Sequence, residues 1–219
     1  MIGPEIQHGM EPLPRWRHTL AVAIFRLIGW DVKVQPPTDA KLVMMAAPHT
    51  SNWDTVLMLV AASVYRVRMR FLVKDTFPWP LSALLKAFGG IPIDRSGGLG
   101  LVDSAIKILE EHDRIMLVLA PSGTRKRTER WRSGFYWIAH GANVPLVCGI
   151  LDYGAKEAAF GPRIAVTGNV SADMDAIRAA YEGKTARHPE NQTPIRIKEE
   201  EELAAKDPEF EPPNDRIET

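Results

Sequence analysis

From residue 15 to residue 181, short runs of consecutive apolar residues alternate with longer segments in which apolar side chains return at helical spacing. Leu42–Ala47 is apolar at every position, lacks a period of 3.6 and ends in proline, which predicts a buried strand. Thr55–Tyr65 is long enough for about three helical turns and rich in Leu, Met and Ala, which predicts a helix. Arg70–Val73 predicts a short strand. Pro78–Phe88 predicts a helix with prolines where its first turn tolerates them, closed by Gly89-Gly90. Ile91–Arg95 is the end of another strand, followed by the glycine-rich Gly97-Gly98-Leu99-Gly100. Leu101–Glu111 sets Val102, Ile106 and Leu109 on one side of a helix, and Arg114–Leu119 is the clearest buried strand of all. Beyond it the pattern predicts a helix over Trp131–His140, a strand over Asn143–Ile150, a further strand at Arg163–Val166, and a helix over Ala172–Tyr181 opened by Ser171.

Strands that alternate with helices of this length predict a single α/β domain with a mostly parallel central sheet flanked by helices. An N-terminal helical segment, Arg15–Trp30, precedes it. There is no internal repeat. The expected organisation is an N-terminal arm with a candidate membrane-interface helix over 1–30, the body over 31–188, and an acidic peripheral tail over 189–219 with a short helix near Glu199–Ala205. Two readings of Arg15–Trp30 stand side by side. Indoles and arginines at both ends of an apolar body suit a helix lying in a membrane interface. They also suit a first helix packed on the core, because the apolar stripe is too wide to be diagnostic.

Composition narrows the function classes. With 219 residues, 45% hydrophobic and 25% charged, the chain has room for one sizeable core and little for a second. A lone Cys148 excludes a disulfide framework or a cysteine-rich zinc site and fits a reducing compartment. The six histidines form no HExxH or other ligand cluster, so no metal is expected. Formal charge is zero, yet Pro189–Thr219 holds ten acids against four bases, a net −6, which leaves +6 on residues 1–188. A modestly basic body suits anionic small molecules or an anionic membrane surface, and lacks the character of a nucleic-acid reader. No segment reaches the ~20 apolar residues of a membrane span. Glu5, Glu11 and nearby prolines do not read as a signal peptide. The expected location is therefore cytoplasmic, peripheral on the cytoplasmic face of a membrane.

The chemistry concentrates in Pro48-His49-Thr50-Ser51-Asn52-Trp53-Asp54, between the buried strand and its helix. At about 100° per residue, positions five apart lie roughly 140° apart on a helix, so His49 and Asp54 meet only if the histidine sits in the loop and the aspartate in the first helical turn. That would hold an imidazole at the edge of a sheet, where open α/β sheets bind ligands. The same letters also fit a capping box, with Ser51 as N-cap and Asp54 three residues on. Two further strand ends carry polar groups, Asp94-Arg95 and Ser122-Gly123-Thr124-Arg125. A base beside two arginines and a glycine turn suggests attack by a hydroxyl on a polarised centre with an anion clamped nearby. Lys126, Arg127, Arg130 and Arg132 either extend that clamp or form a solvated face. Pro121-Ser122-Gly123 is not a nucleophile elbow, and Gly97–Gly100 is not a P-loop.

Taken in order, His49-x4-Asp54, Gly89-Gly90-Ile91-Pro92-Ile93-Asp94-Arg95, Ser122-Gly123-Thr124-Arg125 and Val144-Pro145-Leu146 resemble the four blocks of the glycerolphosphate and lysophosphatidate acyltransferases. The likeness spans about residues 42–150, and Trp131–His140 and Leu151-Asp152-Tyr153 look like the family too. It implies transfer of a fatty acyl group from a thioester, acyl-CoA or acyl carrier protein as co-substrate, to a hydroxyl of a lysolipid or glycerolphosphate-type acceptor, with no other cofactor. His49 would be the general base and Asp54 its orienting carboxylate. Asp94, Arg95, Ser122, Gly123, Thr124, Arg125 and Pro145 would form the substrate-binding blocks. The family's third block usually begins with Glu, and here Ser122 stands in that place, which bears on the acceptor more than on the chemistry. Two other classes remain: a lipid- or acyl-binding relative with little turnover, and a hydrolase of acyl thioesters.

Overall fold

A computed structural model of the chain describes residues 12–74, 78–93 and 100–204. Among them a seven-stranded sheet runs through the molecule: β1 (Asp31–Lys33), β2 (Lys41–Ala47), β3 (Met69–Lys74), β4 (Gly90–Ile93), β5 (Ile115–Leu119), β6 (Leu146–Asp152) and β7 (Glu157–Ile164). Its spatial order is β1-β7-β6-β2-β5-β3-β4. The five strands from β6 to β4 are mutually parallel, β7 is antiparallel to β6, and β1 is parallel to β7. The expected single-sheet, mostly parallel α/β fold is therefore observed, with an N-terminal helix. The helices are α1 (Arg15–Ile28), α2 (Asn52–Tyr65), α3 (Leu81–Ala87), α4 (Leu101–Glu111), α5 (Gly134–Gly141), α6 (Val170–Tyr181) and α7 (Lys198–Ala204).

The run Leu42–Ala47 is apolar throughout because β2 is covered on both faces. Alternate residues leave a strand on opposite sides. Val43, Met45 and Ala47 enter one core with Leu109 of α4, Phe135 and Ile138 of α5 and Ile177 of α6. Leu42 and Met44 enter the other with Phe25 of α1 and Leu57, Ala61 and Tyr65 of α2. β2 thus lies where helices pass to opposite faces of the sheet, the usual position of a binding crevice in open α/β folds.

Several sequence expectations shift. The strand expected at Arg163–Val166 is the tail of the longer β7, which ends at Ile164. It turns back from β6 through a tight loop in which Asp152 Oδ1 accepts from the Gly154 and Ala155 N–H groups. Gly161 and Pro162 masked the strand, although Ala158 and Phe160 face inward at the alternation a strand requires. β1, three residues at the sheet's edge, was too short to show a period. Trp131 is not helical: its N–H donates to Arg196 O, and α5 begins at Gly134. Asp94, Arg95 and Gly97–Leu99 lie outside the described residues. No helix among the described residues is long and apolar enough to cross a membrane.

Where a peripheral acidic tail was expected, residues 189–204 pack on the body. Ile197 is fully buried in the core. The acids find partners: Glu200 pairs with Arg178 at 2.9 Å, Glu201 with Arg130 at 2.6 Å, and Glu199 accepts from Ser133 Oγ and Trp137 Nε1. Truncating Ile197 to Ala is expected to cost about 2–5 kcal/mol of unfolding free energy, as for other buried aliphatics. A urea unfolding midpoint unchanged from wild type would show that this segment contributes nothing to the body.

Candidate active site

β2 ends at Ala47, Pro48 turns the chain, and His49 and Thr50 occupy the loop before α2. Ser51 is the N-cap, extended at φ −144° and ψ 158°, and its hydroxyl accepts from the Trp53 N–H at 3.2 Å. One turn in, Asp54 Oδ2 accepts from the backbone N–H groups of Thr50 at 2.7 Å and Ser51 at 2.8 Å. The same oxygen lies 3.4 Å from His49 Nδ1. The capping box and the His–Asp pair are therefore not alternatives, because one carboxylate serves both. Its other oxygen, Oδ1, accepts from Tyr153 Oη at 2.6 Å.

Asp54 is 3% exposed, so its charge depends on these donors. Burial pushes the carboxyl's pKa up. Hydrogen bonds from His49, Tyr153 and the Ser51 and Thr50 N–H groups outweigh that and hold it below the ordinary value. An ionised carboxylate at Nδ1 selects the tautomer that carries its proton there, which leaves the Nε2 lone pair free to accept one.

Three adjacent strands converge here. β5 lies on one side of β2 and β6 on the other. Beyond β5, the turn Ser122–Arg125 is braced internally: Ser122 Oγ donates to Thr124 O at 2.8 Å and Gly123 N to Ala120 O at 2.9 Å. Gly123 takes φ +66°, and a Cβ there would meet Arg132 Nε at 2.8 Å, so a glycine is what lets Arg132 cross the turn. A cavity of about 870 Å³ adjoins the pair. Much of its wall is apolar, including Met58, Phe71, Leu72, Leu85, Leu119 and Phe135, and His49, Asp54, Thr124, Arg125 and Arg132 supply polar groups. That volume is near the upper end of the ~300–1,000 Å³ usual for small-molecule pockets.

Not every expected site residue arrives at this cavity. Ser122 is buried and holds the turn, and lines a small side cavity that His49 also lines. Pro145 sits at the start of β6, at the opposite edge of the sheet, where its carbonyl accepts from Val43 N at 3.0 Å. That is five residues of strand from Ala47, roughly 16 Å. Arg127 donates to Gln192 O and Arg130 pairs with Glu201, so both are engaged by the C-terminal segment, whereas Arg132 lines the cavity. Sequence reasoning gave no role to Tyr153 or to Arg187. Tyr153 stands 99 residues from Asp54, and only its place just beyond a strand end and the family likeness of Leu151-Asp152-Tyr153 hinted at it.

The family model described as Acyltransferase matches residues 8–149, more than half of the chain. No curated protein matches it. In fold the chain is similar to the crystal structure of the 1-acyl-sn-glycerophosphate (LPA) acyltransferase PlsC from Thermotoga maritima, with a TM-score of 0.52 and 14% identity over 77% of each chain.

The depressed pKa of Asp54 carries a stability signature. A carboxyl that ionises more readily folded than unfolded adds stability above its unfolded pKa, near 3.8, and loses it as pH falls through the lower folded value. Asp54→Asn is expected to destabilise the protein by about 1–3 kcal/mol at pH 7. The gap to wild type should shrink below pH 4 in thermal melts. An equal gap at pH 7 and pH 3 would mean the charge of Asp54 does not stabilise the fold.

Proposed function

This chain belongs to the Acyltransferase family, and on that premise we propose that it moves a fatty acyl group from an acyl thioester to a hydroxyl of a lysolipid or glycerolphosphate-type acceptor. The observation that carries this reading is the His49–Asp54 pair, 3.4 Å apart, on the wall of a largely apolar cavity that also holds Arg125 and Arg132. The donor is acyl-CoA or acyl carrier protein. Its chain lies against the apolar wall, and Gly123, Thr124, Arg125 and Arg132 hold the acceptor's phosphate, where a guanidinium offers a bidentate fork.

In this reading the acceptor hydroxyl attacks the thioester carbonyl while His49 Nε2 takes its proton. Asp54 stabilises the imidazolium that forms. Collapse of the tetrahedral intermediate breaks the C–S bond, and the imidazolium returns its proton to the leaving sulfur. The products are an ester and a free thiol, and the step calls for no metal or further cofactor.

His49→Ala should lower acyl transfer by at least the ~10²–10⁴ typical of general-base removal while still unfolding cooperatively, its melting temperature lowered by the donor that Asp54 loses. Thiol release, followed with a chromogenic disulfide, should require added acceptor. Activity within a few-fold of wild type in His49→Ala would remove the histidine from the mechanism, and thiol release at full rate without acceptor would make the protein a hydrolase.

A lipid acceptor and product call for docking on a membrane surface, proposed to be its cytoplasmic face. Ala21 and Phe25 bury one side of α1, and His18 Nδ1 lies 2.7 Å from Val64 O of α2. On the opposite side Trp16 (65% exposed), Leu20 (54%), Ala23 and Leu27 (87%) form a stripe at i, i+4, i+7 and i+11. Arg15 and Arg26 are exposed on the same helix, and Arg17 stacks over Trp16 and Phe88. An outward apolar stripe with basic flanks is what binding to an anionic interface uses, at about 1 kcal/mol per basic residue. Changing Trp16 and Leu27 to Ser together with Arg15 to Glu should reduce sedimentation with anionic vesicles, while turnover of a short soluble acceptor survives. Undiminished sedimentation would place the docking surface elsewhere.

A further inference from the structure

Beyond the acyl-transfer reading, on which it rests for its kinetic test, we infer that Tyr153 and Arg187 are a positioning pair that fixes the rotamer of Asp54 and, through it, the His49 ring. Both lie past residue 149, where the family match ends.

Asp54 has two oxygens and unequal neighbours. Oδ2 faces the Thr50 and Ser51 N–H groups and His49. Oδ1 is held by Tyr153 Oη at 2.6 Å. Without that phenol, a buried carboxylate oxygen would lose its short hydrogen bond, and the carboxylate would be freer to turn away from the imidazole. Burial and the Asp54 charge push the Tyr153 hydroxyl pKa well above its ordinary value, so the group stays a donor.

The fold holds Tyr153 in place from several sides. β6 pairs with β2 up to Ile150 opposite Ala47, so a residue three positions on leaves the sheet level with the His49 loop. The Tyr153 N–H donates to Thr185 O at 2.9 Å, and its ring packs edge-on against Trp30, centroids 5.1 Å apart. The Arg187 guanidinium lies 5.6 Å from the Trp53 ring and 5.9 Å from the Tyr153 ring. It therefore bridges the residue beside Asp54 and the residue bonded to it, a cation–π contact to each. One position on, the His188 N–H donates to Thr50 Oγ1 at 3.2 Å. Residues 185–188 thus cross from the end of β6 to the His49 loop and tie together the loops that leave two neighbouring strands.

Because Arg187 is exposed, it could instead contact an anionic substrate, and a split between kcat and KM separates the two roles. The experiment compares wild type, His49→Ala, Tyr153→Phe, Arg187→Ala and Arg187→Lys by steady-state transfer. It also follows the low-field Nδ1 proton resonance of His49, assigned by its loss in His49→Ala. Tyr153→Phe keeps the ring and removes one hydroxyl. Its kcat should fall about 10-fold or more, with both KM values within about 2-fold. The His49 resonance should shift or broaden. Arg187→Ala, a change at an exposed position, should lower kcat about 3-fold at unchanged KM, and Arg187→Lys should restore part of it. A Tyr153→Phe kcat within 2-fold of wild type, or an unmoved resonance, overturns the role of Tyr153. An Arg187→Ala variant that raises the acceptor's KM at unchanged kcat makes Arg187 a substrate contact and overturns its half of the pair. Wild type without acyl transfer would sink the proposed activity instead, and the resonance alone then decides whether Tyr153 sets the pair.

Discussion

A carboxylate buried to 3% exposure is tolerable only if its lone pairs are filled, and Asp54 meets that demand with two backbone N–H groups, a phenol and an imidazole. Much else at the site follows from it. The two N–H groups come from the residues just before α2, so satisfying Asp54 also starts the helix and fixes the loop that carries His49. The phenol comes from the end of β6, so satisfying Asp54 also ties a second strand to the first. The imidazole is the remaining partner and the one that faces the cavity. A helix cap, a tertiary tether and a His–Asp pair are here one set of hydrogen bonds around one side chain.

The strand order makes this possible. The chain leaves β2 for β3, returns to β5 on one flank of β2, and later adds β6 on the other. Three loops distant in sequence therefore leave the same edge of the sheet: His49–Ser51, Ser122–Arg125 and the turn at Tyr153. The C-terminal segment then crosses this edge, bonding Thr50 through His188, Arg127 through Gln192 and Thr128 through Thr193. An acidic composition that reads as a solvated tail becomes over residues 189–204 a strap, because Arg130 and Arg178 supply its counter-charges and Ile197 its anchor.

Features with short-range causes were legible in the sequence. A strand apolar on both faces, a helix with its cap and a glycine in a turn each leave a local signature, so β2, α2 and the Gly123 turn stand where their residues implied. Features set by packing were not. β7 hid behind Gly161 and Pro162 because its alternation spans few residues. Tyr153 and Arg187 gained their places from strand adjacency, which no spacing encodes. Pro145 lies apart from the cavity for the opposite reason: a block adjacent in sequence to β6 reads as part of the site, yet the direction of a parallel strand puts its first residue at the far edge.

We propose that this geometry builds an ester from a thioester and a lipid hydroxyl. Mass spectrometry of the lipids formed when the wild-type protein meets a mixed pool of lysolipids and acyl thioesters tests it most directly, with His49→Ala run beside it. The expected products are an acceptor heavier by the donor's acyl chain and an equal amount of free thiol, with neither product from His49→Ala. Free fatty acid as the sole acyl product, or the same ester formed equally by His49→Ala, would contradict it.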